Sequence, residues 1–247
     1  MVKATYSGIG RTTPFLKLWH DRIFGTAPFT RLWHPQFLVD RQLRLQVSND
    51  LPKQPGLRLL DIGCGKKPYR YLRPDSHWYG IDIYPGADID QVVEPGTDWL
   101  LEDWNYDVIL LTQVLEHVKE PSELVGKIVG SALPGTLMII NTPFIYPLHG
   151  LPYDYQRFTE EYFRFILPDN VSLQMKQLGG IGSSLATLIN NWIHLSIPTG
   201  RLGKILRLLT APLVMIVYSI NNALGLFLDL FDATHLFPTN ISLTVKL

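Results

Sequence analysis

The stretch Leu59-Leu60-Asp61-Ile62-Gly63-Cys64-Gly65-Lys66-Lys67-Pro68-Tyr69 constrains the fold more than any other part of the chain. An apolar run from Leu57 to Ile62 stops at a Gly-x-Gly turn, and the fixed φ of Pro68 suits a first helical turn. The pattern predicts a strand, a tight glycine loop and a helix beginning after Pro68. In an α/β sheet, the crevice at the carboxyl end of such a strand is where nucleoside ligands sit. Glycines there let the backbone approach a ligand that a Cβ would hold away. Two details point away from a dinucleotide. Pro68 stands where G-x-G-x-x-G needs its third glycine. Asp61, just before the loop, favours a cationic ligand over a phosphate.

Further apolar runs continue the sheet. His77 to Ile83 predicts a second strand with Asp82 at its end, twenty-one residues beyond Asp61. A carboxylate there is placed to accept both hydroxyls of a ribose. Ala87 to Val93 predicts a short third strand, followed by Glu94. Tyr106 to Thr112 suits a buried central strand. Gln113-Val114-Leu115-Glu116-His117-Val118 follows, then a helix from Pro121 to about Gly130 and a strand from Leu137 to Asn141. Val171 to Gln177 and Ile241 to Val245 supply the last two strands.

Taken together, Asp-x-Gly-x-Gly after the first strand and "YDVILLTQVLEHV…P…LPGTLMIINTP" resemble the class I S-adenosylmethionine-dependent methyltransferases, specifically the methyltransferase type 11 group. The resemblance covers about residues 57–167 and the last strand. It implies an α/β, Rossmann-like three-layer sandwich around a mostly parallel seven-stranded sheet whose last strand is antiparallel. It implies S-adenosyl-L-methionine as cofactor, held by Asp61, Gly63, Cys64, Gly65, Asp82, Ile83 and Gln113. Glu94 is the acid that would meet the adenine amino group. Asp107 stands at a strand start and is read as structural. Cys64, the single cysteine, reads as a small packing residue in the loop.

"FIYPLHGLPYDYQRFTEEYFRFIL" resembles a sub-group signature, H-G-x-P-x-D-Y-x-R-F-T, on a loop that enters a helix over the methyl donor. Thr159 is suited to N-cap that helix, with Glu160 and Glu161 in its first turn. Asp154, Tyr155 and Arg157, with Tyr69, are read as acceptor-binding residues; Asp154 and Arg157 could equally pair to hold the loop. His149 and His117 are the candidate general bases, because histidine titrates near neutral pH. His117 could equally hold local geometry.

The formal net charge is zero and no basic stripe is present, which gives no footprint for nucleic acid. No Cys/His cluster has metal-ligand spacing, so no metal is expected. One cysteine fits a reducing, cytoplasmic compartment, and no signal peptide is read in the first thirty residues or so. Residues 1–50 carry Lys3, Arg11, Lys17, Arg22, Arg31, Arg41 and Arg44 against Asp21, Asp40 and Asp50. A doublet, Phe15 to His20 and Phe29 to His34, repeats the Leu-Trp-His ending fourteen residues apart. Residues 1–56 are read as a helical cap and linker, with a helix at Phe37 to Val47, and residues 57–247 as the methyltransferase domain.

An apolar insertion at about 179–238 precedes the last strand. Leu208 to Leu228 carries no charge and follows Arg201, Lys204 and Arg207. It is long enough to span a bilayer, but its two ends must return to neighbouring strands, so it is read as an interfacial or re-entrant segment or a buried helical subdomain. Arg201, Lys204, Arg207, Ala211, Tyr218, Asn222 and Asp229 fall near one helical stripe, which suits an interfacial helix over residues 201–231. A lid over an apolar acceptor pocket satisfies the same composition. The acceptor is therefore read as a small molecule, a lipid or a glycan. A non-catalytic cofactor-binding or membrane-surface protein on the same fold is the competing function, and composition says nothing of oligomeric state.

Overall fold

The run Arg58–Ile62 forms a strand, β1, whose last four residues are buried. The structure is a computed structural model that describes residues 31–94, 104–197 and 200–247. Around β1 the sheet is built from β2 (His77–Asp82), β3 (Gln91–Val92), β4 (Val108–Thr112), β5 (Leu137–Pro143), β6 (Ser172–Leu178) and β7 (Asn240–Lys246). Its order is β3-β2-β1-β4-β5-β7-β6. β1 to β5 pair in parallel, and β7 lies antiparallel between β5 and β6. The helices are α1 (Phe37–Asp50), α2 (Pro121–Ser131), α3 (Glu160–Ile166), α4 (Ile181–Ser196) and α5 (Arg201–Asp229).

The chain divides into two compact units. The sheet unit comprises residues 44–144, 153–178 and 240–247. The helical unit comprises residues 145–152 and 179–239 and, of the described N-terminal residues, 31–43.

In the sheet unit the period-two alternation of the strands divides the core into two layers. Leu60, Ile62, Ile109, Leu111, Met138 and Ile140 pack with Leu124, Val125 and Ile128 of α2 and Phe163 of α3 on one face. Leu59, Val108, Leu110 and Ile139 pack with Val47 of α1, Leu51 and Tyr69 on the other. That is the expected three-layer sandwich. Pro121 opens α2, and Thr159 Oγ1 accepts from Tyr162 N at 3.3 Å to cap α3, as read from the sequence. Asp107 accepts from Arg58 N at 2.8 Å and ties the start of β4 to β1.

Two expectations need correction. No α-helix follows Pro68; the chain makes only a 3-10 turn at Arg70–Leu72. Pro74 explains the stop, because a proline disfavours the helical region for the residue before it. Arg73 accordingly has φ −139° and ψ 73°. The third strand is two residues long, not seven. A turn from Gly86 to Ile89 takes up its first half, and Asp90 turns its carboxylate back towards β2.

In the helical unit, α4 and α5 form an antiparallel pair within the apolar insertion, and α5 runs through Pro212. The first copy of the Leu-Trp-His doublet, together with Phe29 and Thr30 of the second, lies outside the described residues. Arg31 to His34 form a turn leading into α1.

Candidate active site

β1 and β4 are neighbours, and the chain leaves them towards opposite edges of the sheet. Their carboxyl ends therefore bound the topological switch point, where α/β sheets hold ligands. The Gly63 N–H donates to the Ile81 carbonyl at 2.8 Å, which ties the loop after β1 to the end of β2. Gly63 has φ +68°, and a Cβ there would stand 2.5 Å from Val114 Cγ2. Gly65 has φ +52°, and a Cβ there would meet nothing within 4 Å. One glycine is needed for packing, and the other leaves bare backbone facing open space.

Asp82 ends β2. Its Oδ2 accepts from Gly65 N at 2.9 Å and its Oδ1 from Tyr84 N at 3.0 Å. Each oxygen keeps a lone pair for a further donor. Asp61 lies beneath the loop, buried, with neither carboxylate oxygen hydrogen-bonded among the described residues. Burial pushes its pKa up from 3.8 to about 7, Lys67 opposes the shift and Asp82 adds to it. Burial, with Asp61 and Asp82 adding, likewise pushes the Cys64 thiol up to about 12, so Cys64 is no nucleophile. Ile83 is exposed at the end of β2, and Glu94 is exposed two residues after β3. Gln113 takes φ +58° at the carboxyl end of β4. Its N–H donates to the Asn141 carbonyl at 2.8 Å and its Nε2 to Asn240 Oδ1 at 3.1 Å. A non-glycine residue held at positive φ marks a locally over-determined backbone.

A further ion pair was not read from the sequence. Lys67 is buried, and its ammonium pairs with Asp90. Burial works against the Asp90 charge, but Lys67 and the Gly80 N–H, at 2.7 Å, draw its carboxyl below the usual range. The one available signal is Gly80, inside a strand, where a Cβ would collide with Lys67 Cε.

Beyond β4 in the sheet unit, His117 Nδ1 lies 2.9 Å from the Tyr153 carbonyl. A carbonyl only accepts, so Nδ1 carries the proton and Nε2 is the basic nitrogen. Nε2 lies 3.8 Å from the fully buried carboxylate of Glu116, a residue of the LEHV run to which no role was assigned. The Tyr155 N–H donates to the Glu116 carbonyl at 2.9 Å, and its ring is exposed. Asp154 and Arg157 pair bidentately, at 2.5 and 2.9 Å, with the Asp154 side chain fully buried. Tyr69 is buried among Val47, Leu51 and Leu57, with the Arg44 guanidinium 5.7 Å from its ring centroid. This is a packing position. His149 belongs to the helical unit, where its Nδ1 lies 3.3 Å from the Pro147 carbonyl and its ring meets Tyr146 edge-on.

A seven-stranded sheet in this order, with a glycine loop at the switch point and an acid ending the second strand, defines a class I methyltransferase fold. Residues 33–179 match the family model described as a methyltransferase domain. The chain belongs to that family, and the class I S-adenosylmethionine-dependent resemblance read from its motifs is borne out. It is a methyltransferase by family. A ubiquinone biosynthesis O-methyltransferase of Hahella chejuensis is 24% identical over 165 residues, covering 54% of this chain and 67% of its own. Coclaurine N-methyltransferase, solved with N-methylheliamine and S-adenosylhomocysteine, superposes with a TM-score of 0.53 at 14% identity, over 86% of this chain and 71% of its own. The [4+2]-cyclase SpnF superposes with a TM-score of 0.52 at 15% identity, over 83% and 79%. At these identities the two structures speak for the fold alone.

Proposed function

We propose that this protein binds S-adenosyl-L-methionine at the carboxyl ends of β1 and β2 and transfers its methyl group to a hydroxyl of a small or lipid-like acceptor. The observation that carries the reading is the pairing of open backbone at Gly65 with a carboxylate at Asp82 that retains acceptor capacity. The orphaned oxygens of Asp61 suit a cationic partner. The bound donor supplies a methyl already activated on a sulfonium, so positioning provides most of the rate. In this reading Asp82 accepts from the ribose hydroxyls, Glu94 and Ile83 border the adenine, and Gln113 lines the donor side. His117 Nε2 takes the acceptor proton. His149 is the alternative base. The name of the Hahella relative supports oxygen as the methylated atom.

Asp82→Ala is expected to weaken S-adenosylmethionine binding by about 1.5–3 kcal/mol, the range for lost hydrogen bonds to a charged group. Titration calorimetry on the folded variant measures it, and unchanged affinity removes Asp82 from the ribose role. Transfer of labelled methyl to lipid and aqueous extracts then identifies the acceptor class.

Asp61 adds a pH dependence. Its folded pKa is raised from 3.8 to about 7, so the ligand-free folded chain keeps a proton that the unfolded chain loses. This group's contribution to stability therefore falls as pH rises from about 4 to 7. A cation beside Asp61 favours the ionised form, so donor binding should expel the proton and tighten as pH rises towards 7. Calorimetry in buffers of different ionisation enthalpy reads the release. Asp61→Asn should abolish it, and equal release in the variant would exclude Asp61 as its source.

A further inference from the structure

The helical unit is built inside out. The stripe of α5 that carries Ala211, Tyr218, Asn222 and Gly225 is its buried side, with Tyr218 and Asn222 at 0% exposure. The outward side carries Leu209 at 73% exposure, Leu213 at 65%, and Ile216, Ile220, Leu224 and Phe227. α4 repeats the inversion. Gly182, Ser183, Ser184, Thr187, Asn190 and Asn191 are buried, while Leu185, Leu188, Ile189, Leu195 and Trp192, the last at 71%, face outward. In water the hydrophobic effect would turn both helices the other way.

The inward amides are hydrogen-bonded, whereas the Tyr218 and Thr187 hydroxyls are buried with no partner among the described residues. Asn190 Nδ2 donates to Asn222 Oδ1 at 3.0 Å, and Asn221 Nδ2 donates to Asn190 Oδ1 at 3.0 Å. Asn222 Nδ2 reaches the carbonyls of Leu32 and His34 at 2.7 and 3.0 Å. Asp229 accepts from the Ser183 backbone at 2.9 Å and from its hydroxyl. Between these groups the helices touch through small residues. A Cβ on Gly182 would strike the Gly225 carbonyl, and one on Gly225 would lie 3.0 Å from Ala186 Cβ. Small residues at the seam, with amides bonded across it, hold helices together where the surroundings are as apolar as the side chains.

The less buried hydroxyls follow the same rule. Thr210 Oγ1 and Ser219 Oγ each donate to the carbonyl four residues back, at 2.8 Å. Such back-bonding satisfies a hydroxyl in a medium without water. Ile205–Asp229 is apolar and long enough to cross a membrane. The core helix of a soluble protein can be as long and apolar, but it is mostly buried, whereas only 22% of the eighteen-residue apolar segment within this stretch is. The exposed apolar arc covers more than half the circumference of α5 at about 100° per residue, wider than the stripe a single protein neighbour needs.

We propose that the α4–α5 pair is a membrane-embedded hairpin whose outer face is covered by lipid acyl chains. The pair enters and leaves on one side, because Leu178, just before it, and Asn240, just after it, are paired neighbours in the sheet. This corrects the orientation of an interfacial helix. There the polar stripe faces water; here its Tyr218 and Asn222 are buried, and acyl chains take the opposite side. The inference is independent of the acceptor assignment.

The test uses the full chain and phosphatidylcholine vesicles containing a minority of phosphatidylglycerol. The protein should float with the vesicles and stay bound in about 1 M salt, where surface attraction is screened to about 3 Å. Acyl-chain-brominated phosphatidylcholine should quench tryptophan fluorescence, and Trp192→Phe should remove a large part of that quenching. Leu213→Lys combined with Ile220→Lys should lower vesicle partitioning by about a hundredfold or more. Release by salt, quenching unchanged by Trp192→Phe, or a stable dimer that ignores vesicles would each overturn the proposal. The quenching comparison decides it even if the lysine variant fails to fold.

Discussion

Arg157→Met should destabilise the protein by roughly 3–5 kcal/mol, the cost of leaving a buried charge without its partner. The Asp154 carboxylate is fully buried and receives both guanidinium nitrogens, so it has much to lose. Met retains the apolar stem of Arg157, which isolates the charge from the packing. Urea unfolding measures the loss. The control is the double variant Asp154→Leu/Arg157→Met. Removing both partners of a buried pair often restores stability, so the double variant should lie well above the single one. If the two are equally unstable, packing by the loop and not the ion pair sets the cost. A small loss in the single variant with a large rise in acceptor KM would instead return Arg157 to acceptor binding.

His117→Gln should lower turnover by about 10²–10⁴-fold, the usual contribution of a positioned general base. Glutamine removes the basic nitrogen and keeps an uncharged polar side chain in its place. Donor affinity should change little, because the glycine loop and Asp82 are untouched. The diagnostic readout is the split between the kinetic constants: kcat should fall while the donor KM stays near that of the parent. Turnover unchanged in His117→Gln but abolished in His149→Gln would move the base to His149. Turnover unchanged in both would mean that the acceptor arrives with its nucleophile already deprotonated.

Much of the sheet unit is legible in the sequence. β1, β4 and β5 are largely buried and read as mostly apolar runs, broken by Asp61 in β1 and by Asn141 and Thr142 in β5. Asp82 could be placed from its strand alone, since a carboxylate ending a second parallel strand falls at the switch point. The Thr159 cap was equally visible, because capping is local. The missing helix after Pro68 was harder. Pro68 favours a helix start, and the opposing signal, Pro74, lies six residues on. The burial of Lys67 and Glu116 is hidden in the sequence for another reason. Lysine and glutamate are almost never buried alone, and their burial depends on neighbours supplied from elsewhere in the fold.

The chain by itself determined the strands, the glycine loop, the acids beside it and the stripe on α5, because each depends on residues close in sequence. It could not determine which side of that stripe faces inward. Periodicity separates a polar face from an apolar one and says nothing about which of them meets the protein. Only the tertiary structure settled that. Gly182 and Gly225 let the two helices approach, and Asn190, Asn191 and Asn222 find their partners on that side. Each buried amide needs a specific donor or acceptor within about 3 Å, a condition met by residues tens to nearly two hundred positions apart.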